Sequence, residues 1–149
     1  MRFQTMYTPG ERMASAPLGS RTPPASKKGV RAGWIMSGLA VLFLLFDTVI
    51  KVIKLAPAVQ GTTALGYPES LVRGIGIIEL VCLVLYVVPR TSILGAIFLT
   101  GYLGGAVATH VRVGSPLFTH VLFPIYVAAL IWGGLYLRDA RLRALVPLR

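Results

Sequence analysis

The stretch from Leu39 to Leu55, LAVLFLLFDTVIKVIKL, is apolar enough to enter a lipid bilayer, yet it contains three charged residues. An ionised group at bilayer depth costs about 2.5 to 3.5 kcal/mol on insertion scales, so these charges need partners. Asp47 and Lys51 are four residues apart and share a helix face, with the acid in the favourable N-terminal position. A second acid, Glu79, lies in the middle of the next apolar segment. We therefore expect the rest of the chain to surround and compensate these groups.

The composition indicates an integral membrane protein. The chain is 55% hydrophobic and 13% charged, whereas an ordinary soluble domain has about 25% charged residues. A membrane-spanning helix needs about 20 apolar residues, and four segments meet this requirement, at about residues 32–55, 70–88, 92–111 and 117–137. These segments predict an all-α fold, a single four-helix bundle over residues 32–138. Residues 1–31 are predicted to be a disordered basic tail, and residues 139–149 a basic C-terminal tail.

The distribution of basic residues predicts the orientation of the bundle. Of the 15 Lys and Arg residues, four fall on one side of a four-span chain and the other eleven on the side with both termini. The positive-inside rule therefore places both termini in the cytoplasm. The net charge of +10 would suggest nucleic acid in a soluble protein. Here the basic residues lie mostly in the tails without interleaved aromatic residues, so we expect no nucleic-acid partner.

Helical rise converts this topology into depth. At 1.5 Å per residue, Asp47, Glu79, Tyr102 and Tyr126 all lie about 12 to 14 Å below the outer face. A bundle with a dry inner half and a polar pocket open to the outside accommodates this layer. The predicted ligand-binding residues of the pocket are Asp47, Lys51, Glu79, Tyr102, His110 and Tyr126.

Structural roles compete with this interpretation. Asp47 and Lys51 could form an ion pair that only fixes helix packing, and Glu79 could be protonated, paired with Lys51, or bound to a ligand. His110 lies at a helix end, where extension into the interface also explains it. The histidines and acids match no known metal-binding spacing, so we expect no metal site. The single cysteine, Cys82, excludes an intrachain disulfide.

Segment three carries small residues at a spacing of four, Gly101 with Gly105 and Gly104 with Ala108. Such a pattern allows close approach of helix backbones. Two placements are open, a helix seam inside the bundle or contact with a second copy in a homo-oligomer. The interior seam is the expected one, because three other helices must pack there.

The run from Val88 to Arg112, VPRTSILGAIFLTGYLGGAVATHVR, followed by Pro116 and Pro124, resembles the DoxX-like membrane proteins. Phe46-Asp47 with Lys51 and the stretch Gly76 to Leu80 fit the same pattern. The resemblance covers about residues 33–137. It implies four transmembrane helices in a bacterial inner membrane, and it carries no established catalytic residues.

The function implied by the resemblance is a membrane subunit of an oxidoreductase or stress-defence complex. Such a subunit would be accessory rather than a stand-alone enzyme, with a quinone or small sulfur compound in the outward pocket and a partner subunit carrying out electron transfer. Glu79, Tyr102 and His110 offer the groups that a headgroup changing its protonation requires. Two alternatives are a small proton-coupled permease and a purely structural membrane scaffold. A closed inner half argues against the permease.

Overall fold

The computed structural model describes residues 26–146, and within that range every regular element is helical. In chain order the helices are α1 (Lys27–Val52), α2 (Ala56–Ala64), α3 (Glu69–Val87), α4 (Ser92–Arg112), a π-helical segment (Leu117–Val121), α5 (Phe123–Arg138) and α6 (Ala140–Leu145). Four segments are long and apolar enough to cross a membrane: α1, α3, α4 and Leu117–Arg138. The predicted all-α bundle with four potential membrane-spanning helices is confirmed.

The four long segments form a closed ring. Helix α1 packs against α3 and α5, and α4 packs against the same two helices on the opposite side. The interior is apolar, with Leu44, Leu83, Leu99, Ile131 and Leu135 almost fully buried. The outer surface is also apolar, because many large side chains remain exposed there, including Trp34, Leu42, Phe46 and Ile78. An apolar interior and an apolar exterior together are what a lipid-embedded bundle requires.

Two parts of the chain differ from their predicted form: the connection after the first span and the beginning of the fourth span. The connection between the first two predicted spans contains α2, which has Pro57 in its first turn, where the missing N–H of proline removes no helical hydrogen bond. The fourth span, predicted as one helix, begins with the π-helical segment, and α5 then starts with Pro124 in its first turn. Both differences reshape the same end of the bundle, where the polar cavity described below is found.

The predicted tails also differ in part. Helix α1 begins at Lys27, so the last residues of the predicted N-terminal tail are helical, while residues 1–25 lie outside the described range. The predicted C-terminal tail contains α6, whose Leu142 is buried against the bundle. This single apolar side chain thus attaches the segment to the bundle. The basic composition of the segment did not indicate this contact.

Glycines mark the closest helix approaches. A Cβ atom added at Gly33 on α1 would lie 2.8 Å from the carbonyl oxygen of Gly134 on α5. One added at Gly76 on α3 would lie 2.8 Å from Cβ of Lys51 on α1, and one at Gly95 on α4 would collide with the backbone of Tyr86 on α3. Real Cβ atoms do not approach other heavy atoms this closely, so these three positions require glycine for packing.

The predicted interior seam of α4 is wrong. A Cβ atom added at Gly101, Gly104 or Gly105 would meet no atom of the described chain within 4 Å, and all three glycines are exposed. The spacing of four correctly places them on one side of α4, but that side faces outward. The alternative placement, contact with a second copy, stays a prediction.

Candidate functional site: a lysine-centred polar cluster

Four polar side chains from three helices meet at Lys51. Its ammonium nitrogen lies 2.5 Å from Oδ2 of Asp47 and 3.1 Å from Oε2 of Glu79. It also donates a hydrogen bond to the Tyr102 hydroxyl at 2.8 Å, and that hydroxyl donates to Oε2 of Glu79 at 2.8 Å. Asp47, Glu79 and Tyr102, which were expected at one depth, therefore meet at Lys51, and Glu79 is paired with this lysine.

Helix packing positions this cluster. Asp47 and Lys51 lie one turn apart on α1, so their ion pair is local. Glu79 reaches Lys51 because α1 and α3 approach closely at Gly76, three residues before the acid, where even one additional carbon would collide with Lys51. Tyr102 completes the cluster from α4, on the opposite side of the ring from α1. The cluster thus joins three of the four spans.

The cluster uses its donors fully but leaves acceptors free. An ammonium group has three N–H donors, and Lys51 directs them to Asp47, Glu79 and Tyr102. Oε1 of Glu79 is buried and has no hydrogen-bond partner in residues 26–146. Asp47 contacts Lys51 through Oδ2, and no described residue donates a hydrogen bond to its Oδ1. The free hydrogen-bonding capacity near Lys51 is therefore that of carboxyl oxygens.

A large cavity lies beside the cluster at the end of the bundle that carries α2. It has a volume of about 680 Å³ and is enclosed by α1, α2, α4 and the beginning of the fourth span. Its polar lining includes Asp47, Lys51, Tyr102, His110 and His120. This volume lies within the range of about 300–1,000 Å³ that is usual for small-molecule pockets.

The two histidines lie together at the wall of this cavity. Their rings are 5.6 Å apart in an edge-to-face arrangement. Nδ1 of His110 hydrogen bonds with the Ser115 hydroxyl at 3.0 Å, and Nδ1 of His120 with the Thr119 hydroxyl at 2.8 Å. His110 is among the predicted pocket residues, and His120 is not. The turn between α4 and the π-helical segment brings them together.

Tyr126 does not belong to the pocket. Its side chain is 49% exposed on the outer surface, while Phe123, Pro124 and Val127 of the same helix line the cavity. The prediction from depth was wrong here, because depth fixes the height of a residue but not its direction. Successive helical residues differ in direction by about 100°.

A second cavity lies on the other side of Tyr102. It has a volume of about 310 Å³ and is lined by residues of α3, α4, α2 and the connection after α2, including the exposed glycines Gly101 and Gly105. Lys51 and Tyr102 line both cavities. Tyr67, which the sequence analysis did not single out, borders the second cavity and hydrogen bonds with the Thr109 hydroxyl at 2.9 Å.

The site places a fixed positive charge beside carboxyl oxygens that can still accept hydrogen bonds. One ammonium and two carboxyl groups are held in apolar surroundings, where their interactions are stronger than in water. A ligand that donates a hydroxyl or similar group can bind Asp47 without displacing an existing hydrogen bond. Within residues 26–146, no group of three or more His, Cys, Asp or Glu side chains is arranged to hold a metal ion.

The chain was compared with known proteins. No curated protein and no solved structure matches it. A family model described as the DoxX-like family matches residues 35–134, which contain the cluster, both cavities and most of all four spans. The chain is thus a multi-pass membrane protein that belongs to the DoxX-like family.

Proposed function

We propose that this protein is the ligand-binding membrane subunit of an oxidoreductase or stress-defence complex in a bacterial inner membrane. Its large cavity, facing the outer side, binds a small molecule with a hydroxyl-bearing headgroup, such as a quinone in its hydroquinone form. A partner subunit carries out the electron transfer. The protein itself holds and orients the headgroup.

The observation that carries this proposal is the free Oδ1 of Asp47 at the cavity wall. Because the donors of Lys51 and the Tyr102 hydroxyl are already engaged, the site accepts hydrogen bonds more readily than it donates them. A hydroquinone donates two hydroxyl groups, whereas a quinone only accepts. The cluster therefore favours the reduced headgroup.

A permease would need a polar path through the other half of the bundle. That half is filled by buried side chains, namely Leu83, Tyr86, Leu99, Ile131 and Leu135. Its hydrogen bonds are internal, since the Tyr86 hydroxyl donates to the carbonyl of Ile131 and contacts the Ser37 hydroxyl. A binding subunit with one open end agrees better with this packing.

The test is titration of the purified protein with a hydroquinone and with its oxidised form under anaerobic conditions. The proposal expects tighter binding of the hydroquinone. Asp47→Asn should weaken it about tenfold, since hydrogen bonds to charged groups contribute about 1.5 to 3 kcal/mol. The matched control is Glu69→Gln, because Glu69 is an exposed acid outside both cavities.

The outcomes separate the competing functions. Equal effects of Asp47→Asn and Glu69→Gln, or no binding by the unsubstituted protein, would favour the structural scaffold. Tighter binding of the oxidised form would contradict the assignment of Asp47 as the acceptor. Proton uptake into vesicles that depends on Asp47 would instead support the permease.

A further inference from the structure

The second cavity forms a groove between α3 and α4 that faces the bilayer. Six of its lining residues define its walls: Tyr67, Ile75, Ile78, Gly101, Gly105 and Thr109. Ile78 is 58% exposed, and Gly101 and Gly105 are exposed as well. The groove is therefore open sideways along the membrane-facing surface of the bundle.

Glycine creates the space in this groove. A Cβ atom at Gly101 or Gly105 would meet no atom within 4 Å, so these glycines do not serve close contact inside the described chain. Ile75 and Ile78 on the facing helix supply an apolar wall. Together these residues leave an open channel in which an alkyl or isoprenoid chain could lie.

Lys51 and Tyr102 give the groove a charged group where it adjoins the large cavity, which the same two residues also line. A molecule lying in the groove would therefore place one end beside Lys51 and Tyr102, next to the large cavity that Asp47 lines, and leave the other end in the bilayer. A charged group beside the apolar side chains of Ile75 and Ile78 matches an amphiphile.

We propose that the ligand of the cluster is a membrane-dissolved amphiphile with one apolar chain, and that it reaches the cluster sideways from the bilayer between α3 and α4. Gly101 and Gly105 keep this path open for its chain. The inference rests on the proposed function, because it assumes that the cluster binds a headgroup. It adds the class of ligand and the route of access.

The experiment uses two probes, a hydroquinone with a decyl chain and the same hydroquinone without the chain. Gly105→Leu places a side chain in the groove. Gly104→Leu is the matched control, because Gly104 is exposed on the same helix but lines neither cavity. Both variants are expected to fold, since both positions have open space, and thermal unfolding verifies this.

The expected result is a loss of binding specific to the chain. Gly105→Leu should weaken binding of the decyl probe at least about tenfold and leave binding of the short probe unchanged. Gly104→Leu should leave both unchanged. Equal binding of the decyl probe by the two variants would overturn the proposal, and so would an equal loss of both probes in Gly105→Leu, which would mean a disturbed headgroup site.

Two further outcomes are informative. If the unsubstituted protein binds the short probe but gains nothing from the decyl chain, lateral access is wrong while the proposed function stands. If it binds neither probe, the proposed function fails and the inference fails with it. A second copy of the chain is the other candidate occupant of the groove, and light scattering tests it. If both leucine variants convert a dimer to a monomer, this face of α4 binds a second copy, and the proposal of an amphiphile is overturned.

Discussion

The ammonium nitrogen of Lys51 lies 3.1 Å from Oε2 of Glu79, an ion pair that joins α1 to α3 inside the bundle. The Glu79 side chain is fully buried, and that of Lys51 is 15% exposed. Removing one partner of such a pair leaves an uncompensated charge, which is more destabilising than removing both. The two residues should therefore be strongly coupled in stability.

A double-mutant cycle tests this coupling. Lys51→Met should lower the free energy of unfolding by about 3 kcal/mol, because Asp47 and Glu79 lose their shared cation. Adding Glu79→Gln to Lys51→Met should cost less than Glu79→Gln alone, with a coupling energy of about 1 to 3 kcal/mol. Chemical unfolding in micelles is measured for the unsubstituted protein, the two single variants and the double variant. Strict additivity would mean that the pair contributes nothing as a unit.

Lys54 supplies the comparison for this cycle. It pairs with Glu69 at 3.1 Å, but the Glu69 side chain is 63% exposed. Exposed pairs contribute about 0 to 1 kcal/mol, so Lys54→Met should be mild. If Lys54→Met lowered the free energy of unfolding as much as Lys51→Met, burial would not distinguish the two lysines.

Gly95 makes the closest helix approach of the described chain, because a Cβ atom there would overlap the Tyr86 backbone. Gly95→Ala should destabilise the protein by about 3 kcal/mol, since overpacking forces backbone shifts. Gly104→Ala should be neutral or slightly stabilising, because alanine favours the helix by about 1 kcal/mol and has open space. Similar unfolding energies for the two variants would contradict the assignment of the α3–α4 seam to Gly95.

The sequence could predict the height of each polar residue but not its direction. Asp47, Glu79 and Tyr102 were expected at one depth because helical rise is constant, and they do meet at Lys51. The direction of a side chain depends on how each helix is rotated against its neighbours. The same depth argument therefore failed for Tyr126, which points outward.

The close helix contacts could not be derived from residue spacing. The conspicuous glycine pattern of α4 faces outward, whereas single glycines at Gly33, Gly76 and Gly95 make the tight approaches. A helix crossing involves one short stretch of each helix, and its position depends on the packing of the whole bundle. Helix α2 was missed because its composition, APAVQGTTA, is also typical of a loop.

The contacts of Asp139, which lies at the end of the fourth span, predict that the stability of the protein depends on pH. Burial alone would raise the pKa of its carboxyl, but hydrogen bonds from the side chain and backbone N–H of Arg141, with the charge of that arginine, hold the pKa below its usual value. The carboxylate therefore stabilises the folded state above the unfolded pKa of about 3.9. This contribution is lost as the pH falls through the folded pKa.

Asp139→Asn measures this contribution. Near neutral pH the variant should be less stable by about 1 kcal/mol or less, because Arg141 is largely exposed. The difference should shrink as the pH is lowered past about 4, where the carboxyl of the unsubstituted protein becomes protonated. Thermal unfolding of both proteins over this range provides the comparison. A gap that does not change with pH would show that the ionised carboxylate is not the stabilising form.

The orientation of the cavity can be tested through α2. Four residues of this helix line the large cavity: Pro57, Ala58, Gly61 and Thr62. The cavity therefore lies on the same side of the membrane as α2. The charge distribution predicts that this side is the outer one. Gln60 is an exposed residue of α2, and Arg90 is exposed in the connection at the opposite end of the bundle.

Each of these two residues is replaced by cysteine in a chain that also carries Cys82→Ala, and intact spheroplasts are treated with a membrane-impermeant thiol reagent. Gln60→Cys should react in intact spheroplasts, whereas Arg90→Cys should react only after lysis. The reverse pattern would place both termini outside and the cavity on the cytoplasmic side, and the ligand would then exchange protons with the cytoplasm. Reaction of both cysteines in intact spheroplasts would mean that the preparation is leaky, which a cytoplasmic marker enzyme detects independently.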